Sequence, residues 1–113
     1  MNMPQGYVPL TLDHCDEYCR YLERTPRPTA DLTFTNLWGW AEYYGIGLSF
    51  RGDLCWICQT RPELRYWAPI GDWEGADWTA QPEIRAGVEL DIPCEELIGK
   101  IRWKVNGNKE ETA

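Results

Sequence analysis

The run from Ile46 to Thr60 constrains this chain more than any other stretch. Ile46, Leu48 and Phe50 alternate with Gly47, Ser49 and Arg51, the two-residue period of a strand. Gly52-Asp53 follows, with glycine first as a type II′ hairpin turn requires. Leu54–Thr60 is apolar on both faces, which predicts a strand in the middle of a sheet. Arg61-Pro62-Glu63 turns the chain again, and Leu64–Ala68 is expected as the third strand of a meander.

The flanks read outward from that hairpin. Tyr7–Leu10 is a short extended start. Thr11 or Asp13 can cap a helix running to about Arg24, with Asp13, Asp16 and Glu17 in a first turn that favours acids. Pro26 and Pro28 break it. A second helix is expected from about Asp31 to Tyr44. In it Phe34, Leu37, Trp38, Ala41 and Tyr44 share one face, and Gly45 is the stop. Gly39 is out of place there, since an interior helical glycine costs up to ~1 kcal/mol against alanine; close packing against a neighbour would explain it. Downstream, Pro69–Trp78 reads as a loop, with a short helix around Trp78–Glu83 and a strand over Gly87–Ile92. From Pro93 a helix lined by Cys94, Leu97, Ile98 and Ile101 runs to about Arg102. The expected class is α+β, in the order β-α-α-β-β-β-(α)-β-α, with a mostly antiparallel sheet and flanking helices. Residues 1–103 form one expected domain and 104–113 a polar tail.

Composition narrows the function classes. At 113 residues the net charge is −7 and the pI about 4.6. That balance argues against nucleic acid, which needs a basic face to displace counterions. No run of ~18 apolar residues is present, so no membrane span is expected. Met1–Gly6 lacks the basic and apolar regions of an export signal. Five cysteines, an odd number, then suggest free thiols in a reducing cytoplasm. Cys55-Trp-Ile-Cys58 has metal-like spacing, but on a strand residues three apart point to opposite faces. Cys15 and Cys19 fall on an apolar helix stripe with Leu12 and Leu22. Core packing is the expectation for all four, and no metal site is expected.

Several segments together resemble a known family. Leu10-Thr11-Leu12-Asp13, the aromatic run with Phe34, Asn36, Leu37 and Trp40, the Pro69/Gly71 turn, and Leu90–Leu97 look like parts of uncharacterised bacterial proteins related to the C-terminal region of phosphatidylglycerol lysyltransferase. The resemblance covers about residues 7–102. It implies a GNAT-like unit, the first of a tandem pair, with its closing hairpin missing unless Trp103–Val105 begins it. Relatives with known activity move an aminoacyl group from charged tRNA to a lipid. The second unit, which would hold most of the transfer site, is not in this chain, so no catalytic residue and no cofactor are carried over.

The functional expectation is therefore a non-catalytic GNAT-like recognition module, self-associating as a homodimer or paired with a second GNAT-like domain. An open sheet edge is its motive. The alternative is an acyl- or aminoacyltransferase, or half of one. Its phosphate cradle would be Gly71–Ala76, where Asp72 and Glu74 set like charge beside a phosphate. Ligand or interface candidates are Asn36, Trp40, Tyr44, Trp67, Gly71, Trp73 and Trp78. Trp38 and Trp56 are expected in the core. Trp73 and Trp78, in a loop, are expected as surface anchors. His14, the single histidine, reads as part of a capping turn.

Overall fold

A computed structural model describes residues 3–26, 32–86 and 90–91. One sheet holds five strands in the spatial order β1 (Val8–Pro9), β2 (Ile46–Arg51), β3 (Leu54–Gln59), β4 (Arg65–Gly71) and β5 (Leu90–Asp91). The first four pair antiparallel, and β5 lies parallel to β4. Helices α1 (Cys15–Arg24) and α2 (Phe34–Tyr44) lie between β1 and β2 in sequence, and the short α3 (Pro82–Ala86) precedes β5. The class is α+β, an antiparallel sheet with helices. The remainder of the expected 87–92 strand, the expected helix after Pro93 and the tail 104–113 lie outside the described residues.

The hairpin forms where the alternation places it. Ile46 pairs with Gln59 and Arg51 with Leu54, which leaves Gly52-Asp53 as the two-residue loop. Every residue of β3 is buried. Its side chains alternate between two separate cores, as a period of two demands. Cys55 and Ile57 pack with Tyr18, Phe34, Leu37, Ile46 and Leu48 under α1 and α2. Leu54, Trp56 and Cys58 pack with Tyr7, Ala68, Trp73 and Trp78 on the opposite face. Cys55 and Cys58 are thus divided by the sheet and cannot hold one ion between them. Burial pushes the Cys58 thiol up to about 11 and raises the Cys55 thiol as well.

The helical layer departs from its expected bounds for local reasons. The first helix opens as a 3-10 turn over Leu12–His14 and becomes α-helical only at Cys15. Cys15, Cys19 and Leu22 do pack against the core, but Leu12 is exposed. Tyr18 is the fully buried residue of α1, and its hydroxyl donates to the Leu32 carbonyl at 2.5 Å. The second helix begins at Phe34 rather than near Asp31. The Thr33 hydroxyl accepts from the Asn36 backbone N–H and acts as the cap. Gly45 ends it in the left-handed region at φ +60°, and a Cβ there would collide with Thr60 Oγ1.

Strand β4 is longer than expected, running through Pro69 to Gly71. Ile57 faces Trp67 while Cys55 faces Ile70, so β4 carries one extra residue across this interval. Such a bulge is where a sheet tolerates proline. Gly71 follows at φ +129°, and a Cβ would lie 2.0 Å from the Asp53 carbonyl oxygen. Backbone crossing backbone explains this glycine, and its N–H donates to the buried Thr25 hydroxyl at 2.9 Å.

Candidate functional site

Helix α2 shows two different sides. Phe34 and Leu37 are buried beneath it, with Ala41 and Tyr44 half-buried alongside. Trp38, expected in that core, is instead 52% exposed. It lies one residue, about 100°, around the helix from Leu37, which carries its ring off the flank of the stripe. Trp40 is 49% and Tyr43 69% exposed. Their rings meet edge-on at 6.1 Å, and Tyr43 meets Tyr44 edge-on at 4.8 Å. Three large aromatics exposed on one helix are more than a folded surface scatters singly. Interface anchors are drawn from these residue types.

Beside this face runs an open groove of about 570 Å³, lined by Trp38, Gly39, Ala41 and Glu42 of α2, by Met3, Pro9 and Leu10, and by Gly45, Ile46 and Arg61. Its walls are mostly apolar, with one acid and one base. Arg61 Nε donates to the Tyr43 carbonyl at 3.1 Å, which fixes the guanidinium next to the end of α2. Glu42 is exposed and makes no ion pair among the described residues. Among the described residues, no atom outside its own helix stands within 4 Å of where a Cβ on Gly39 would lie. The expected close packing around it is not made by any described residue.

The strongest polar cluster sits on the other side of the sheet. Arg51 donates Nη1 to Glu83 Oε1 at 3.0 Å and Nη2 to Oε2 at 2.6 Å, and the Tyr7 hydroxyl donates to the same Oε2 at 2.6 Å. Arg51 Nε also donates to Ser49 Oγ at 2.9 Å. Burial pulls the Glu83 carboxyl upward, but the hydrogen bonds from Arg51 and Tyr7 outweigh it and hold the acid below its ordinary range. Burial, reinforced by Glu83, raises the Tyr7 phenol. An ionised acid and a protonated phenol held this way form a tie between segments, with no proton poised for transfer near neutrality. These three residues carry no sequence motif, and 76 positions separate Tyr7 from Glu83.

The would-be phosphate cradle is already filled. The Asp72 carboxylate accepts from the backbone N–H groups of Glu74 at 3.2 Å and Gly75 at 3.0 Å. An incoming phosphate would have to displace that carboxylate against its charge, and residues 71–78 hold no lysine or arginine.

The sequence candidates do not converge on one site. Asn36, Trp40 and Tyr44 lie on α2, with Asn36 half-buried. Trp67 is buried in the helical-side core, and its Nε1 donates to Gln59 Oε1 at 3.0 Å. Gly71 is committed to the crossing with Asp53. Trp73 and Trp78, expected at the surface, are 3% and 1% exposed. The loop folds back over the sheet because each indole N–H finds a backbone carbonyl: Trp73 donates to Pro69 of β4 and Trp78 to Trp73 of the loop, both at 3.0 Å. His14 closes a capping turn, its Nδ1 accepting from the Thr11 N–H at 3.0 Å. Glu42 and Arg61 were not legible as site residues; Gly39 was the signal that pointed at their groove. Among the described residues no helix is long and apolar enough to cross a membrane. Comparison with family models, with curated protein sequences and with solved structures finds no match to this chain.

Proposed function

We propose that this chain is a non-catalytic recognition module of GNAT-like type, which meets another protein through the outward side of α2. The observation that carries the reading is the exposed trio Trp38, Trp40 and Tyr43 beside an open, mostly apolar groove. Such residues contribute most when a partner removes them from water. The GNAT-like part rests on the sequence resemblance to phosphatidylglycerol lysyltransferase-related proteins. The chain order β1, α1, α2, β2, β3, β4, α3, β5 supports it.

The transferase alternative has less in its favour. Its pyrophosphate loop has two N–H groups satisfied by Asp72, and the nearby Arg51 is bound to Glu83.

The test is site-specific photocrosslinking in cells, with a benzophenone side chain in place of Tyr43 and, as control, of the exposed Ala80 on the opposite face of the sheet. The expected result is a discrete adduct from position 43, identified by mass spectrometry, and none from position 80. No adduct from position 43 overturns the reading. In parallel, purified protein is expected to show no rise in Tm with acetyl-CoA or aminoacyl-tRNA. A rise of several degrees with either restores the transferase reading.

A further inference from the structure

We infer that the partner at this face is a second copy of the chain: two α2 helices pack parallel about a two-fold axis that runs along the Gly39 strip, and Glu42 of each chain meets Arg61 of the other. The inference rests on α2 being a contact face and names its occupant.

Gly39 stands about 200° around the helix from the buried Leu37, so it marks the middle of the outward side. No described residue of its own chain requires a glycine there. A bare backbone strip does admit a second helix at close range, since interaxial distance is set by the side chains at the crossing. Trp38 and Trp40, one position to either side, form walls along that strip.

Charge selects the occupant. The whole chain carries −7, so two copies repel over most of their surfaces. Helix α2 is the exception, because Glu42 is its single charged residue. Arg61 borders the same groove. A two-fold interface is self-complementary: if residue i meets residue j, then j meets i. One acid and one base flanking an apolar centre fit that rule. A purely acidic partner leaves Glu42 opposed, and a purely basic one leaves Arg61 opposed. A second copy pairs both.

The β1 edge is a poor seam for a second chain: that strand has two residues, one of them Pro9, which offers no N–H to another strand. The edge expected from the missing closing hairpin is on the β5 side, next to residues outside the described ones.

The test is sedimentation equilibrium of the purified chain with Glu42→Arg, Arg61→Glu and an equimolar mixture of the two variants. Wild type is expected to dimerise. Each variant alone sets like charges at both contacts and is expected to dissociate at least tenfold more readily. The mixture sets opposite charges at both contacts again and is expected to recover the dimer. Gly39→Leu, placed where no described residue stands, is the second variant and is expected to abolish dimerisation without lowering the monomer's Tm. Wild type that stays monomeric to about 1 mM, a mixture no tighter than its components, or an undisturbed Gly39→Leu dimer each overturns the inference. A monomer whose position-43 adduct contains a different protein removes the second copy and leaves the contact face standing. A monomer with no adduct removes both.

Discussion

The two faces of the sheet are covered in different ways. Under α1 and α2 the core is built from apolar side chains at helical spacing, centred on Tyr18, Phe34 and Leu37. On the opposite face the cover is a loop, a 3-10 turn over Trp78–Ala80 and the short α3, together with the N-terminal segment. There Trp56 donates to Gln81 Oε1 at 2.8 Å, Trp73 and Trp78 donate to the backbone carbonyls of Pro69 and Trp73, and Arg51 and Tyr7 hold Glu83. A helix satisfies its own backbone, so its side chains need only pack. An irregular cover leaves carbonyls unpaired, so its side chains must fill volume and donate hydrogen bonds together. Tryptophan does both, whereas leucine or phenylalanine does only the first.

If the loop face is a core in its own right, Trp78→Ala should destabilise the whole protein by ~3–5 kcal/mol. That is at least as much as the ~2–5 kcal/mol expected for Leu37→Ala under the helices. Urea unfolding followed by far-UV circular dichroism measures both. A Trp78→Ala variant with unchanged midpoint and slope would show that the loop is a skin over a sheet stable without it, and the equivalence of the two faces would fail.

How much could be read from the sequence divides along the same line. The hairpin 46–59, the two-sided burial of β3 and the apolar stripe Phe34, Leu37, Ala41 and Tyr44 follow from periods of two and 3.6. Trp38 was misplaced because period alone does not say how wide the buried stripe is. Trp73 and Trp78 defeat a reading by period, because a segment without period looks like surface while its indoles turn it inward. The tie of Tyr7, Arg51 and Glu83 joins three distant segments, and no local pattern encodes such pairing. Of the candidate contact face, Trp40 was legible from its residue type. The roles of Glu42 and Arg61 depend on the turn after β3 returning to the end of α2, where the Thr60 and Arg61 N–H groups reach the Tyr44 carbonyl.

The tie offers a finer comparison, since the helical face has no buried ion pair among its described residues. Glu83→Gln keeps the shape but removes the charge opposite Arg51. Loss of one partner from a fully buried pair costs about 3–5 kcal/mol. The Arg51 side chain is 30% exposed, so solvent screens part of this and about 1–3 kcal/mol is expected. The difference should depend on pH in one direction. Glu83 is held below its ordinary value in the folded state, so its contribution is complete above the unfolded carboxylate range near about 4.3. It is lost as pH falls through the lowered folded value. Wild type and variant should therefore differ at neutral pH and converge in acid. A difference that persists unchanged into strong acid would assign the effect to packing.

The smallest expected effect lies on the outside of the helical layer. Gly39→Ala adds a methyl where no described residue stands within 4 Å. It also removes the conformational freedom that makes glycine a poor helix former, so the isolated chain should gain up to ~1 kcal/mol. Thermal unfolding at dilution, where assembly is absent, reads this term alone. The same substitution at high concentration should loosen the association, because the added methyl lies on the strip where the twin helix approaches. A glycine kept for packing inside its own chain would show the reverse at dilution, a loss of stability. Opposite signs at low and high concentration would therefore separate the two roles of one position, since monomer stability favours alanine there and only the assembled state favours glycine.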